Sequence, residues 1–286
     1  MPTPSEPFVS VVIPTSGRGA LLADCLDSLC EQDYPRERYE VIVVENGPHA
    51  GALRPPDWVR HIVLSRPDRN GARNAGIWAA GGDPICLIDD DVLLPPHWLR
   101  AVAEGSLRHP EAGCVGGPVL PRWEGAEPRC CPEHGPAGGT LDEGSAEREV
   151  DEVWSCNMAV QRWALERVGP LREGLVAIDE VEWERRLVKA GGAVIYLPDA
   201  WATHRRVGSD TGVRALVRDN FRLGYMVVAL GQELPTGRVL RDLRTAAVHA
   251  VRHRCVRGFT DTMRKTGSLC AILAGRRRRP IATSFR

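Results

Sequence analysis

Three consecutive aspartates, Asp89-Asp90-Asp91, follow directly on the apolar run Pro84-Ile-Cys-Leu-Ile88. Adjacent carboxylates repel one another, so a triplet at the end of a buried strand calls for a counter-cation. Hard divalent cations prefer oxygen ligands, and Mg2+ takes one or two protein carboxylates together with substrate phosphates. If extended geometry continues into the triplet, Asp89 and Asp91 point to one side and Asp90 to the other. That pattern suits a cation–diphosphate unit, with Asp90 the least needed of the three. A second acidic group, Asp179-Glu180-Val181-Glu182, heads a helical pattern. A carboxylate there can accept a proton, or simply complement the helix dipole. His204, beside Arg205-Arg206, has three open roles: metal ligand, phosphate-contacting cation or surface residue. Cys130, Cys131 and His134 are metal-ligand types, but the sequence shows no second ligand pair at zinc-site spacing. The nine cysteines are odd in number and irregular in spacing, which reads as a reducing compartment and not a disulfide framework.

The elements that must position these groups alternate. Val9–Ile13 is a short β-branched run closed by Pro14, as in a strand buried on both faces. Leu21–Gln32 has helical spacing, Glu40–Val44 is a second buried run, and Val59–Leu64 a third strand. Asn70 opens a helix reaching about Ala80, and Pro84–Ile88 is the fourth strand. Strands alternating with helices predict a mostly parallel α/β sheet, whose ligands bind at the carboxyl ends of the strands. Thr15 to Arg18, Glu45 to Gly47 and Asp89 to Asp91 all fall at such ends. A helix follows over Pro96–His109 and a strand over Gly113–Leu120. Pro121–Asp151 is Gly, Pro and acid-rich, a loop long enough to serve as a lid or binding loop. Order resumes at Trp154–Val160, with a helix over Ile178–Ala190 and a strand over Ala193–Leu197. Helical patterns at Arg214–Leu230 and Arg238–Arg252 precede a final apolar stretch and Arg276–Arg279.

Taken in order, these segments resemble the family 2 glycosyltransferases of GT-A fold across about residues 9 to 205. Val9-Ser-Val-Val-Ile-Pro14-Thr15 is similar to that family's first strand and nucleotide-binding turn. Glu40-Val-Ile-Val-Val-Glu45-Asn46-Gly47 resembles its second strand, where two aspartates are usual, one of them contacting the nucleobase; Glu45-Asn46 keeps one acid. Ala72-Arg73-Asn74-Ala75-Gly76 is similar to its Ala-Arg-Asn-x-Gly helix start, and Leu87-Ile88-Asp89-Asp90-Asp91 to its Asp-x-Asp motif. In the family the first aspartate meets the ribose and the last the metal. The resemblance thus implies a GT-A (Rossmann-like) mixed, mostly parallel sheet flanked by helices, with a nucleotide-sugar site at Pro14, Thr15, Arg18, Glu45, Asn46, Arg73, Asn74, Asp89 and Asp90. It implies a Mg2+ or Mn2+ ion at Asp89 and Asp91, joined by His204 as in some relatives. The family carries a Glu-Asp pair with the second member as catalytic base; the inverted Asp179-Glu180 nominates Glu180, with Asp179 in reserve. Cys156-Asn157-Met158-Ala159 resembles a strand lining the acceptor side. Asn157 falls there, and Trp154 and Trp183 are candidates for sugar stacking, with core packing the alternative. The reaction implied is inverting transfer from a nucleotide sugar to a hydroxyl or amine on a small-molecule, glycan or lipid-linked acceptor.

Residues 1–210 are expected to form the transferase domain, with a nucleotide-binding half at 1–110 and an acceptor-side half at 111–210 that carries the loop 121–151. Residues 211–286 are expected to form a basic helical extension. The formal charge is zero, yet from Arg205 onward there are 18 Lys/Arg against five acids, leaving 19 basic and 32 acidic residues in the remainder. Three uses are open for that basic segment: covering the acceptor side, joining two copies as a homodimer, or touching anionic lipid through Arg276–Arg279. No nucleic-acid partner is expected. The first residues show neither a basic n-region nor an apolar h-region, so no signal peptide is expected. With no apolar run of about 18 residues, neither is a membrane span, and the expected location is cytoplasmic or membrane-peripheral. A sugar nucleotidyltransferase and a non-catalytic glycosyltransferase-like scaffold are the alternatives; a dehydrogenase is excluded because no Gly-x-Gly-x-x-Gly follows the first strand.

Overall fold

Val9–Thr15 is buried at every position and forms strand β1, flanked on both sides by equally apolar neighbours in a computed structural model of the chain. The structure describes residues 6–48, 50–125, 127, 131, 140–175, 179–207, 212–230 and 234–275. Cys130, His134, Ile178 and Arg276–Arg279 therefore lie outside the described residues. In chain order the described elements are β1, α1 (Gly19–Cys30), β2 (Tyr39–Asn46), β3 (Val59–Leu64), α2 (Arg69–Ala79), β4 (Ile85–Ile88) and β5 (Val92–Leu93). Next come α3 (Trp98–Arg108), β6 (Ala112–Gly116), β7 (Val119–Glu124), β8 (Arg148–Glu149), β9 (Asn157–Val160) and α4 (Arg162–Val168). The last are α5 (Asp179–Lys189), β10 (Ala193–Tyr196), β11 (Ala202–Val207), α6 (Val213–Ala229), α7 (Thr236–His253) and α8 (Val256–Gly275).

The principal sheet has the order β3-β2-β1-β4-β9-β6-β10-β8. Its first four strands are parallel, as alternating strands and helices require. β9 is the exception: it enters antiparallel between β4 and β6, pairing Ile88 with Asn157. β10 is parallel to β6, and β8 closes the edge antiparallel. β1, β4, β6 and β9 are buried along their whole length, which explains why they read as unbroken apolar runs without alternation. The expected mixed, mostly parallel sheet is what forms. β11, not anticipated from its Ala-Thr-His-Arg-Arg-Val sequence, pairs antiparallel with β5 through Thr203–Leu93 and His204–Val92.

The chain divides into two compact units: residues 1–120 with 140–205, and residues 121–139 with 206–286. Residues 121–139 thus group with the C-terminal helices, whereas the expected boundary near 210 kept them with the acceptor-side half. Within that second unit, α6 and α8 cross where glycines meet: a Cβ on Gly267 would stand 2.1 Å from the Phe221 carbonyl oxygen. The Ser268 hydroxyl donates to the Gly224 carbonyl at 2.9 Å at the same crossing. Among the described residues, no helix is long and apolar enough to cross a membrane.

Helix α2 determines the depth of the site. Its N-cap is Asp68, whose Oδ1 accepts from the Asn70 and Gly71 amides at 3.0 and 3.2 Å, meeting the unsatisfied donors of the first turn. The helix then lies so close to β1 that a Cβ on Gly76 would stand 2.2 Å from Val12 Cγ1. Val12 is β-branched and fully buried, so it has no rotamer to retreat into. Gly76→Ala should therefore destabilise the protein by about 1–3 kcal/mol, although alanine is the better helix former. Denaturant unfolding reads the loss, and Val12→Ala in the same chain should recover part of it. Unchanged stability in Gly76→Ala would contradict the close approach.

Candidate active site at the carboxyl ends of β1, β2 and β4

The last residue of β1 and the residues that follow β4 deliver the polar side chains. Asp90 is buried and accepts a hydrogen bond from the Thr15 hydroxyl at 2.6 Å. It also takes Nε of Arg18 at 3.2 Å and a second, close contact from Arg18 Nη2. The same guanidinium donates to Asp91 Oδ2 at 2.7 Å. Arg18 thus clamps two of the three aspartates from the loop after β1. Asp90, the member of the triplet expected to matter least, is the one that fixes Thr15 and Arg18. Burial raises its proton affinity, opposed by Arg18 and Thr15.

Asp89 is held from the other side by Arg73. That guanidinium is 1 % exposed and donates to Asp89 Oδ1 at 2.8 Å and to Asp179 Oδ2 at 2.6 Å. Arg73 therefore joins the end of β4 to the start of α5. The expectation from its motif was a nucleotide contact; the structure instead commits its terminal nitrogens to two carboxylates. Asn74, from the same motif, is also turned inward, donating to the Leu171 carbonyl at 2.8 Å and accepting from the Leu171 amide at 3.1 Å.

Asp91 and His204 meet because β11 pairs with β5 directly after the triplet. The Arg205 amide donates to the Asp91 carbonyl at 2.9 Å, which fixes the register. His204 Nε2 stands 3.0 Å from Asp91 Oδ1. Asp91 Oδ1 makes no well-aligned hydrogen bond beyond this ion-pair contact, and His204 Nδ1 has no hydrogen-bond partner among the described residues, although both atoms are buried. Burial alone would raise the Asp91 carboxyl, but the His204 ring and the Arg18 guanidinium outweigh it and hold the group well below the usual carboxylate range. Asp89, Asp91 and His204 each offer one ligand atom, all within 4.8 Å of one another. Oxygen and imidazole donors of this kind suit a hard or borderline divalent cation.

At the start of α5, Asp179 is buried against Arg73, while Glu180 is half-buried and accepts from the Ser155 hydroxyl at 3.4 Å. Burial and the neighbouring Asp179 charge push Glu180 up to about 8, only partly countered by Arg73. Glu184, one turn on, is fully buried and its Oε1 accepts from the Val153 amide at 2.8 Å, fixing the approach to Ser155. The sequence reading did not single out Ser155 or Glu184; neither stands in a spacing pattern that would mark it.

Other nominated residues lie elsewhere. Pro14 is buried within β1. Glu45 is fully buried, accepting from the Ala52 and Leu53 amides at 3.2 and 3.4 Å and facing His61 Nε2 at 3.0 Å. It braces the loop after β2. Asn46 donates to the Asp68 carbonyl at 2.8 Å, tying that loop to the cap of α2. Asn157, nominated for the acceptor side, is interior: it accepts from the Trp98 indole at 2.8 Å and donates to the Pro118 and Ala200 carbonyls at 3.0 and 2.7 Å. Trp183 is 0 % exposed, its indole N–H on the Gly169 carbonyl at 2.8 Å, so it is a core residue and not a stacking platform. Trp154 is partly buried against the core.

Removing one partner from a buried pair leaves an uncompensated charge, so Arg73→Met should cost on the order of 3–5 kcal/mol. Denaturant unfolding measures this directly. Wild-type stability in Arg73→Met would contradict the bridging role.

The sequence matches the family description "Glycosyl transferase family 2" over residues 10–167. It is similar to the glycosyltransferase AglE of Haloferax volcanii, with 27 % identity covering 78 % of this chain and 73 % of that protein. The succinoglycan biosynthesis protein ExoM of Rhizobium meliloti is also 27 % identical, over 71 % of this chain and 69 % of its own. In fold, the chain resembles a mannosyltransferase, PcManGT, from Pyrobaculum calidifontis solved in complex with GDP-Man and Mn2+. The TM-score is 0.58 at 17 % identity, covering 97 % of this chain and 77 % of that one. The family match takes in β1 from Ser10, α2 and the Asp89–Asp91 triplet, whereas Asp179, Glu180 and His204 lie beyond it. This chain belongs to glycosyl transferase family 2, with the GT-A fold.

Proposed function

We propose that this glycosyltransferase moves a sugar from a nucleotide-sugar donor to a hydroxyl or amine acceptor, with inversion at the anomeric carbon and with a divalent cation at Asp89, Asp91 and His204. The observation carrying the proposal is the junction at Arg73, which holds the metal-facing Asp89 and the head of α5 in one ion-paired unit. Support for the cation comes from the three converging ligand atoms of Asp89, Asp91 and His204. That PcManGT was solved with GDP-Man and Mn2+ supports the same reading. When bound, Mg2+ or Mn2+ supplies positive charge against the donor diphosphate and its leaving group.

The chain's own residues do the rest. Arg18 is half-exposed and already positioned over Asp90 and Asp91, where its free face can meet a diphosphate. Asp179 is fixed by Arg73 and is not free to act on an acceptor. Glu180 carries no such partner salt bridge among the described residues, and its raised proton affinity fits a general base working near neutrality. It takes the proton from the acceptor atom as that atom attacks the anomeric carbon, with Ser155 orienting the carboxylate. In-line attack from the face opposite the leaving diphosphate inverts the centre. The exchanged order Asp179-Glu180 keeps a base at the second position while the first serves as the anchor for Arg73.

Two measurements follow. In a nucleoside-diphosphate release assay, Glu180→Gln should lower kcat by about 100- to 10,000-fold with little change in donor affinity. Retained turnover would remove Glu180 from the chemistry. The base must be deprotonated to work, so kcat should fall as pH drops through an acid limb near 8. Asp179→Asn removes a neighbouring negative charge and should move that limb to lower pH. A limb at the ordinary carboxylate value, roughly 4.3, would contradict the assignment.

A further inference from the structure

The second unit, residues 121–139 with 206–286, contains a group of side chains that sugar transfer does not use. Cys131 comes from the segment after β7, His249 from the last turns of α7, and Cys255 from the turn between α7 and α8. Cys131 Sγ stands 3.1 Å from His249 Nε2, and the Cys131 amide donates to Cys255 Sγ at 3.5 Å. The two sulfurs and the imidazole nitrogen all lie within 4.8 Å of one another. None of the eight described cysteines is in a disulfide.

We propose that Cys131, His249 and Cys255 bind a zinc ion that ties Cys131 to the α7–α8 turn. Two thiolates and one imidazole are soft and borderline ligands, the set that selects zinc over the hard cations suited to Asp89 and Asp91. With Zn–S near 2.3 Å and Zn–N near 2.0 Å, a thiolate and an imidazole on one tetrahedral ion stand roughly 3.5 Å apart. The Cys131 Sγ–His249 Nε2 separation of 3.1 Å lies somewhat inside that value, and the other ligand pairs stay within 4.8 Å. Three ligands leave the fourth position for water or another side chain. Cys130 and His134 lie outside the described residues and are not counted among the ligands.

Cys255 is buried and immediately precedes α8, its carbonyl accepting from the Phe259 amide at 3.1 Å. The residue before it, Arg254, is held at φ 47, the left-handed region that L side chains rarely adopt. That turn places Cys255 beside His249, whose ring is stacked on His253 with centroids 4.6 Å apart. A chain reversal that keeps a strained arginine next to a buried cysteine is consistent with a ligand that over-determines it. Sequence reading missed the site because its members lie 118 and 124 residues apart. The second ligand pair absent from the spacing around Cys131 is supplied from the far end of the chain.

The test uses the full chain, purified under reducing conditions, stripped with chelator and titrated with Co2+ in place of zinc. Wild type should bind about one ion that shows a thiolate-to-cobalt charge-transfer band and tetrahedral visible bands, both abolished by excess Zn2+. The bands should disappear in Cys255→Ser and persist in Asp91→Asn, separating this ion from one at the transferase site. Chelator should lower the thermal midpoint of wild type and leave that of Cys255→Ser unmoved. The wild-type spectrum needs no variant to fold: absence of a thiolate band would overturn the proposal. So would bands lost in Asp91→Asn but kept in Cys255→Ser, or a Cys131–Cys255 disulfide in the intact mass of freshly prepared protein.

Discussion

One buried guanidinium sets the geometry of the transferase site. Arg73 lies in the interior with Asp89 on one side and Asp179 on the other, and each carboxylate belongs to a different part of the chain. Burying three charges is costly, and the arrangement is tolerable only because the terminal nitrogens of the guanidinium are matched by carboxylate oxygens at hydrogen-bond distance. Everything that determines where Arg73 points is then constrained. The Asp68 cap fixes the start of α2, the contact of Gly76 with Val12 sets its height over β1, and β4 ends where Asp89 must stand. Such a unit cannot slide, because any displacement leaves a buried charge without its partner.

A second constraint acts on the other side of the triplet. The β5–β11 pairing follows immediately after Asp91 and brings His204 from more than a hundred residues away. The Arg205 amide on the Asp91 carbonyl makes this a backbone register and not a side-chain coincidence. Between the two constraints the triplet is divided. Asp89 faces Arg73, Asp90 faces Thr15 and Arg18, and Asp91 faces Arg18 and His204. Asp89 is met by Arg73 while Asp90 and Asp91 share Arg18, which eases the repulsion among three adjacent carboxylates.

Much of this was legible in the sequence, and the boundary has physical causes. β1, β2 and β4 are continuous apolar runs because both their faces are covered, and their polar ends marked the sheet edge correctly. The triplet, the Ala-Arg-Asn-x-Gly segment and the acidic head of α5 gave the family. Strand direction was not legible: four residues, Asn157–Val160, carry no sign that β9 runs against β4. β11 was missed because a strand whose six residues include a histidine and two arginines has no apolar alternation to detect. Types alone could not show that Arg73 and Asn74 turn inward, that Asn157 and Trp183 are interior, or that Asp90 anchors Arg18. The convergence of Cys131, His249 and Cys255 was illegible for the same reason: local spacing cannot encode a contact made by tertiary packing.

A cation held beside a donor diphosphate at Asp89, Asp91 and His204 is the centre of the proposed reaction. The most direct measurement is the thermal midpoint of the wild-type protein with each nucleoside diphosphate, with and without Mn2+, repeated for Asp91→Asn. The account predicts stabilisation by at least one nucleotide that requires Mn2+ and is lost in Asp91→Asn. Stabilisation that is indifferent to the metal, or that survives Asp91→Asn unchanged, would contradict it.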